Sequence, residues 1–540
     1  MSRTDYVNRR TGQGVFEDAD PGKRPSIVLI VADMVPPDFH REGEVNSGLV
    51  RTPNIDALRA GGVTFTNAFS NSPLCGPSRA SYLTGRYPYI VVNEERAHDG
   101  WAVALRPDDI IFPEYLKAAG YVCKHAGKSH VGTQKFIDAF GEADCPWNRW
   151  APPMTDDDGY VAHLRRLGVA PPVYRAALRG RLVDRKTEGN NYGGFVTQPD
   201  GSDFPEEATY PHYLAALARE RLQAARFQGL DRGAPLYLQV DFFEPHQPFM
   251  IPAGYEKRAE ELRRKGKLPE SFREIAGRDF TPPDGEPRVY SFYRKETGIY
   301  DEAAMREYVV LNIVQMEVLD KAVGKVLDAM REAGQYDDSI VIFTADHGEM
   351  NGERGLVDKG VYGHPRVARV PFVVKLPKGQ RSGTKVAESV CLLDLAPTVL
   401  EAAGVRPYAR LDGLSMWPLV SGDSGATAAF GKRVFLFEAI WHMGPNPAVS
   451  IQWQRSPKEH YFYTYNLTSD FDELYDLADA SYRNLARDAQ FQGVRKEMLV
   501  RLGEFLKADV RWRCYWHTLR FDRQGELPVE GGDYQMFRPE

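Results

Sequence analysis

Short runs of β-branched apolar residues constrain this chain most. SIVLIVAD at 26–33 and SIVIFTA at 339–345 are too short for buried helices and do not alternate polar with apolar residues. Such runs fit strands buried on both faces, as in a parallel sheet covered by helices. LYLQVDFF at 236–243, Tyr121–His125 and Val370–Lys375 read as further strands. Helices are expected between them at Pro53–Ala60, stopped by Gly61-Gly62, at Pro113–Ala119, ended by Gly120, and at Tyr210–Phe227. Ala303–Ala333 reads as a long amphipathic helix. Its Val309, Ile313, Met316, Val323, Leu327 and Met330 recur at helical spacing and form a core stripe. This order predicts an α/β fold, a large mainly parallel sheet sandwiched by helices.

The texture divides the chain. Residues 1–25 read as a polar N-terminal arm and 26–424 as the large α/β domain. Residues 425–510 read as a smaller C-terminal α+β domain with an antiparallel sheet. There the aromatic strands RVFLFEAIW, VSIQWQR and HYFYTYN precede a helix from Asp488 to Leu506. Residues 511–540 are a tail rich in Arg and aromatics. Residues 140–205 have weak periodicity and read as a long excursion that walls a site, and 244–300 read as another loop-rich, charged insert.

Composition removes several function classes. Of 540 residues, 68 are Lys or Arg and 74 Asp or Glu, a formal net charge of −6. That balance does not suggest a nucleic-acid or membrane-surface protein. No apolar run approaches the ~18 residues of a membrane helix, and the polar start lacks the apolar core of a secretory signal. A cytoplasmic location is the expectation. The arm and tail are extensions of the kind that reach across subunits, so a homo-oligomer is expected. Cys75, Cys123, Cys145, Cys391 and Cys514 are odd in number and widely spread, with no zinc-type pairing or disulfide framework. Four read as buried small hydrophobes; Cys75 stands apart.

Chemically capable residues sit just past several strand ends: Asp33, Lys128 and His130, His246, and Asp346 with His347. Any one alone is a capped strand end. Several together point to one crevice beyond the carboxyl ends of the sheet, where open α/β folds bind ligands. The sharpest segment is Asn71–Pro88, NSPLCGPSRASYLTGRYP. Cys75-Gly76-Pro77-Ser78-Arg79 precedes a short helix whose first position suits Pro77. Helix amides and dipole favour an anion beside Cys75, and Arg79 adds a permanently charged, forked donor. The local physics describes an oxyanion pocket with a sulfur in it.

Cys-x-Pro-Ser-Arg followed by LTGR at 83–86 resembles the signature of the sulfatase family of the alkaline phosphatase superfamily. TPNIDALRAGGVTFTNAF, GKSH at 127–130, FEPHQPF at 243–249 and TADHGEMNGERGLVDKG at 344–360 are similar to further family segments. RVPFVVKLP, DLAPTVLEAAGV, DGLSMWPLVSG and ELYDLADASYRNLA extend the resemblance over roughly residues 26–490. It implies an alkaline phosphatase-like fold. It also implies that a formylglycine-generating enzyme oxidises Cys75 to an aldehyde used as its hydrate. One divalent ion, Mn2+ or Ca2+, would be held by Asp33, the Cys75-derived diol, Asp346 and His347. Arg79, Lys128 and Lys359 would hold the equatorial ester oxygens. His130 would bond the diol or a substrate oxygen, and His246 would protonate the leaving oxygen. Ser78, Asn93, Arg96 and His98 are expected at the entrance, while His364, Trp147, Trp150 and Trp441 read as packing residues.

The sequence departs from the common pattern in carrying Met34 where many members have an acid and His347 where many have Asn. Exchanging a carboxylate for an imidazole shifts preference from calcium towards manganese. These departures resemble the phosphonate monoester hydrolase and choline-sulfatase-like branch, whereas GKSH is similar to mainstream sulfatases. The expected reaction is hydrolysis of small-molecule sulfate monoesters, with phosphonate monoesters or phosphodiesters as the alternative. A thiol phosphatase is disfavoured, because three residues between Cys75 and Arg79 are too few for its loop. A non-catalytic scaffold is disfavoured because nucleophile and ligand types are all present.

Overall fold

Seven strands build the central sheet: β1 (Ile27–Asp33), β2 (Val63–Phe65), β3 (Val122–Gly127), β4 (Leu236–Pro245), β5 (Ile340–Ala345), β6 (Phe372–Lys375) and β7 (Thr384–Val386). Their order is β7-β2-β6-β5-β1-β4-β3. Only β6 runs antiparallel to its neighbours; every other pairing is parallel. The computed structural model describes residues 24–91, 105–141, 147–423, 425, 427–431, 433–442, 444–456, 458–466 and 471–509. Most of the arm, the tail beyond 509, Asn93, Arg96, His98, Cys145 and Cys514 lie outside the described residues.

Every residue of β1 is buried, as a both-face-covered strand requires. β1 lies between β4 and β5, with Ile27 opposite both Tyr237 and Ile340. That shared register brings the ends of the three strands out at one edge. The Glu302–Glu332 helix packs across the sheet against Tyr210–Gln228 and Pro53–Ala60, and its six stripe residues are all buried. Among the described residues, no helix is long and apolar enough to cross a membrane.

The two excursions carry more regular structure than their sequences suggest. Within the first, Asp157 caps the Asp158–Leu167 helix by accepting from Gly159 N and Tyr160 N. An antiparallel hairpin, Val173–Arg181 with Glu188–Thr197, follows and pairs with Phe249–Pro252. The second folds into helices Glu256–Lys265, Glu270–Gly277 and Arg288–Thr297. The first of these, EKRAEELRRK, buries only Ala259 and Leu262, so its charge hides its period. Val173–Arg181 is a mostly exposed edge strand with register shifts, which erases polar–apolar alternation.

The C-terminal sheet is antiparallel and has four strands: Val434–His442, Gly444–Ser456, Glu459–Asn466 and Glu473–Asp476. The last lies in a segment read from sequence without a strand. The Gln492–Ala508 helix packs on this sheet. Their apolar core is continuous with Phe69, Leu74, Tyr290 and Tyr362 from earlier in the chain. Asn71 joins the parts: its Nδ2 donates to Leu436 O at 2.8 Å, and its backbone carbonyl accepts from Glu438 N at 3.0 Å. The C-terminal sheet thus lies against the loop that leads into Cys75.

Candidate active site

Three side chains converge where β1 and β5 end. Asp346 N donates to Ala32 O at 3.1 Å, and Val35 N donates to His347 O at 3.0 Å, so the two chain exits stay in step. Met34 between them has φ 63°, a left-handed conformation rare for a bulky residue and typical of strained functional sites. Its amide donates to Asp346 Oδ1 at 3.2 Å. Cys75 arrives from the other side as the first residue of the Cys75–Thr84 helix, after the cap residue Leu74. Pro77 is therefore the third helical residue rather than the first. That costs no hydrogen bond, because the first four amides of a helix lack intrahelical partners.

Cys75 Sγ lies 3.2 Å from His347 Nε2 and 3.6 Å from Asp33 Oδ1. His347 Nε2 is 3.7 Å from an oxygen of Asp33 and from one of Asp346. All four donor atoms lie within 4.8 Å of one another and all four residues are buried. His347 Nδ1 is 2.8 Å from Gly348 O. A carbonyl only accepts, so Nδ1 carries a hydrogen, and Nε2 is the nitrogen that faces the cluster and would give up its proton to bind an ion.

This donor set fits a divalent ion. Ligands about 2.3–2.6 Å from one ion and at right angles to each other stand about 3.3–3.7 Å apart, close to the 3.2–3.7 Å separations found. Two carboxylates and one imidazole suit ions of the manganese or calcium kind. Burial, with the charge of Asp33, pushes the Asp346 carboxyl above its ordinary value despite His347 and Arg79. Burial and Cys75 also push Asp33 up, but Lys128, His246 and Arg79 outweigh them and hold it low. Burial opposes the charged form of His347, yet Asp346 and Cys75 raise its pKa to about 9. At position 75, burial disfavours the thiolate, but Lys128, Lys359 and His347 prevail and take the thiol well below its usual range. The anionic donors are buried, and Arg79, Lys128 and His347 balance their charge in place.

A cavity of 390 Å³ opens over Cys75 and is also lined by His130, Trp150, Tyr192, His246, Asp358, Lys359 and His442. Lys359 Nζ donates to His246 Nε2 and to Asp358 Oδ1, the latter at 3.2 Å. His246 Nδ1 faces Gln247 O at 2.5 Å and so carries the ring hydrogen, leaving Nε2 to accept from Lys359. Burial opposes the charge on Lys359, but Asp358 and Cys75 overcome it and raise the ammonium above its ordinary value. His130, left-handed at φ 56°, lines the same cavity as Cys75, and burial and Lys128 hold its pKa below the ordinary value.

Residues 25–405 match the family model Sulfatase, and 352–508 match N-sulphoglucosamine sulphohydrolase, C-terminal. The chain belongs to the sulfatase family. It is similar to the uncharacterized sulfatase YidJ of Escherichia coli (strain K12), 26% identical over 531 residues, covering 96% of this chain and 94% of that one. It is 26% identical over 437 residues to the choline-sulfatase of Rhizobium meliloti (strain 1021), covering 77% of each. Among solved structures, the phosphonate monoester hydrolase of Agrobacterium radiobacter matches with a TM-score of 0.67 at 20% identity, over 90% of this chain and 96% of that one. That likeness establishes a common alkaline phosphatase-like fold. The family implies a divalent ion and formylglycine, and the four-donor cluster is this sulfatase's candidate metal site.

Two of the sulfatase's basic residues differ in placement from the sequence expectation. Arg79 runs behind the cluster: its Nε donates to Asp346 Oδ2 at 2.9 Å, and its Nη1 to Asp241 Oδ1 at 2.9 Å and Lys128 O at 3.2 Å. Lys128 Nζ contacts Asp33 Oδ2 and donates to Trp150 O at 3.1 Å. The described residues lining the cavity include neither. Desolvated carboxylates draw the nearest cations, so both lie against the ligand set, and Lys359 faces the cavity. Ser78 is likewise buried beneath the site, donating to Asp346 O at 2.6 Å, and does not stand at its entrance. His364 caps the Pro365–Ala368 turn, accepting from Arg366 N at 3.2 Å. Trp150, read as packing, is 40% exposed and lines the cavity with its ring 5.8 Å from that of His246.

Sequence reasoning missed Asp241, Tyr192, Gln247, Asp358 and His442. Gln247 and Asp358 lay beside residues already singled out, within PHQP and VDKG. Tyr192 and His442 carried no local signal, since one comes from the hairpin and the other from the C-terminal sheet. The first excursion walls the cavity through Trp150 and Tyr192, and the second insert adds His246 and Thr297.

Proposed function

We propose that this sulfatase hydrolyses small-molecule sulfate monoesters with a formylglycine made from Cys75 by a formylglycine-generating enzyme. It would act at one divalent ion held by Asp33, Asp346, His347 and the side chain at position 75. The observation that carries this reading is the position of Cys75. It is the one residue that belongs both to the four-donor cluster and to the cavity wall beside Lys359 and His246. A hydrated aldehyde there supplies two hydroxyls on one carbon, one to attack the ester and one whose deprotonation re-forms the carbonyl and releases sulfate. The ion, when bound, supplies Lewis-acid stabilisation of the ester group.

The chain's own residues do the rest. Lys359, kept charged by its acidic neighbours, faces the cavity and stabilises negative charge on ester oxygens as it grows. Lys359 Nζ and His246 Nε2 share a proton beside the cavity, and this pair is assigned to protonate the leaving oxygen. His130 orients the side chain at position 75 as a neutral partner. Arg79 and Lys128 hold Asp346 and Asp33 in place.

One observation favours a second reading, hydrolysis of phosphonate monoesters or phosphodiesters by the same groups. The fourth donor is an imidazole, and the neighbouring position is apolar Met34, as in the branch this sequence resembles. A kinetic panel separates the two. Protein co-expressed with a formylglycine-generating enzyme and supplied with Mn2+ or Ca2+ is assayed on an aryl sulfate, phosphate monoester, phosphodiester and phosphonate monoester. The sulfate is expected to have the highest kcat/KM; dominance of the phosphonate would overturn the first reading.

A further inference from the structure

A polar ladder lies beneath the ligand cluster, inside the sheet. On β4, Tyr237, Gln239 and Asp241 alternate with Leu238, Val240 and Phe242, which puts the three on one face. His125 on β3 sits in register with Gln239. Tyr237, Gln239 and Asp241 are 0% exposed and His125 is 1% exposed. Polar groups buried in a central strand cost free energy unless they are fully hydrogen-bonded.

Asp241 is fully hydrogen-bonded. An ionised carboxylate has about four acceptor sites, and all are filled here. Oδ1 accepts from Arg79 Nη1 at 2.9 Å and from Tyr82 OH at 3.2 Å. Oδ2 accepts from Gln239 Nε2 at 2.7 Å and pairs with His125 Nε2 at 2.8 Å. A carboxylate only accepts, so His125 Nε2 carries its hydrogen. Tyr237 OH donates to Gln239 Oε1 at 2.7 Å, which fixes the Gln239 amide with its nitrogen towards Asp241. The ladder is therefore built around this one carboxylate, which belongs neither to the ligand set nor to the cavity wall.

Its contacts lead to both sides of the metal cluster. The Arg79 guanidinium that Asp241 holds by Nη1 also donates through Nε to Asp346 Oδ2, and its Nη2 stands 3.7 Å from Asp33 Oδ2. Arg79 and Tyr82, three residues apart on one helix face, belong to the helix whose first residue is Cys75. One carboxylate thus fixes the tilt of the guanidinium that orients two ligands and the roll of the helix that presents a third. We propose that Asp241 is a positioning residue of the metal centre, setting its metal affinity through Arg79 and Tyr82. This rests on reading Asp33, Asp346, His347 and the residue-75 side chain as the metal ligands.

The test is isothermal titration of metal-free, full-length protein with MnCl2, alongside the melting temperature of the metal-free form. Outer partners of metal ligands are worth about 10–100-fold in affinity; Asp241 acts one bond further out, so Asp241→Asn should bind Mn2+ about 10-fold more weakly, the lower end of that range. At saturating Mn2+ its kcat on an aryl sulfate should still fall while KM holds, the pattern of lost transition-state positioning. A folded Asp241→Asn that binds Mn2+ like the wild type overturns the inference, whatever its melting temperature. If that variant does not fold, Tyr82→Phe decides, since it keeps every charge and removes one of the four bonds. Weaker Mn2+ binding at an unchanged metal-free melting temperature bears the inference out, and wild-type affinity overturns it. Wild-type protein that binds neither Mn2+ nor Ca2+ would instead overturn the metal-site reading, and this inference with it.

Discussion

Glu438 offers a quantitative test of how the C-terminal sheet joins the catalytic part of the chain. It lies on the Val434–His442 strand, 0% exposed, beside the Asn71 clamp. Its Oε1 accepts from Tyr89 N at 2.6 Å, and its buried Oε2 has no hydrogen-bond partner among the described residues. Burial dominates over the Tyr89 hydrogen bond and raises its pKa from 4.5 to about 8. The folded state therefore binds a proton that the unfolded chain releases. The stability this contributes is fully present below pH 4.5 and is lost as pH rises through about 8. At 1.36 kcal/mol per unit, the loss between the two values is on the order of 4–5 kcal/mol, and at pH 7 roughly 3 kcal/mol. Glu438→Gln keeps the Tyr89 bond and cannot ionise. The difference in unfolding free energy between variant and wild type, from urea unfolding at a series of pH values, should favour the variant increasingly from pH 5 to 8 and then level off. A pH-independent penalty of about 1–3 kcal/mol for the extra amide donor would offset the curve without changing its slope. A flat difference across pH 5–8 would refute the reasoning.

Other outcomes follow from the same geometry. Lys359→Met removes the cation that faces the cavity and the partner of His246. Catalytic proton transfer is worth about 10²–10⁴-fold, so kcat on a sulfate ester with a poor leaving group should fall by that order, and less for a nitrophenyl leaving group. Equal losses on both substrates would argue against a role in leaving-group protonation. Chelation with EDTA should abolish turnover and lower the melting temperature, since an ion at 100 times its Kd stabilises by about 2.7 kcal/mol. Restoration of both by Mn2+ or Ca2+ is expected; chelator-resistant turnover would contradict a metal-dependent site. Val31→Ala on β1 hollows a fully buried strand position beneath the cluster. It should destabilise the fold by about 1–3 kcal/mol, read by urea unfolding.

Much of this was legible in the sequence because it depends on burial and local order. SIVLIVAD and SIVIFTADH announce strands covered on both faces, and the two acids and one histidine at their ends become neighbours once β1 and β5 pair in register. The four metal-binding candidates need only that register and the entry of the Cys75–Thr84 helix. What sequence did not carry was partner choice. Arg79 and Lys128 have the charge to grip an ester, but buried carboxylates compete for them, and Asp241 announces itself only as one acid in an apolar run. Part of the cavity wall was equally hidden, because Tyr192 and His442 come from segments far from the motifs that carry the other site residues. The helices and hairpin of the two excursions lie on the surface, where charge and edge exposure blur the periodicities that reveal buried elements.

The chemistry at position 75 decides the account. Mass spectrometry of the peptide spanning Cys75, taken from protein of measured specific activity, should find an aldehyde or its hydrate in an amount that scales with activity. Fully active enzyme whose Cys75 is an unmodified thiol would contradict it.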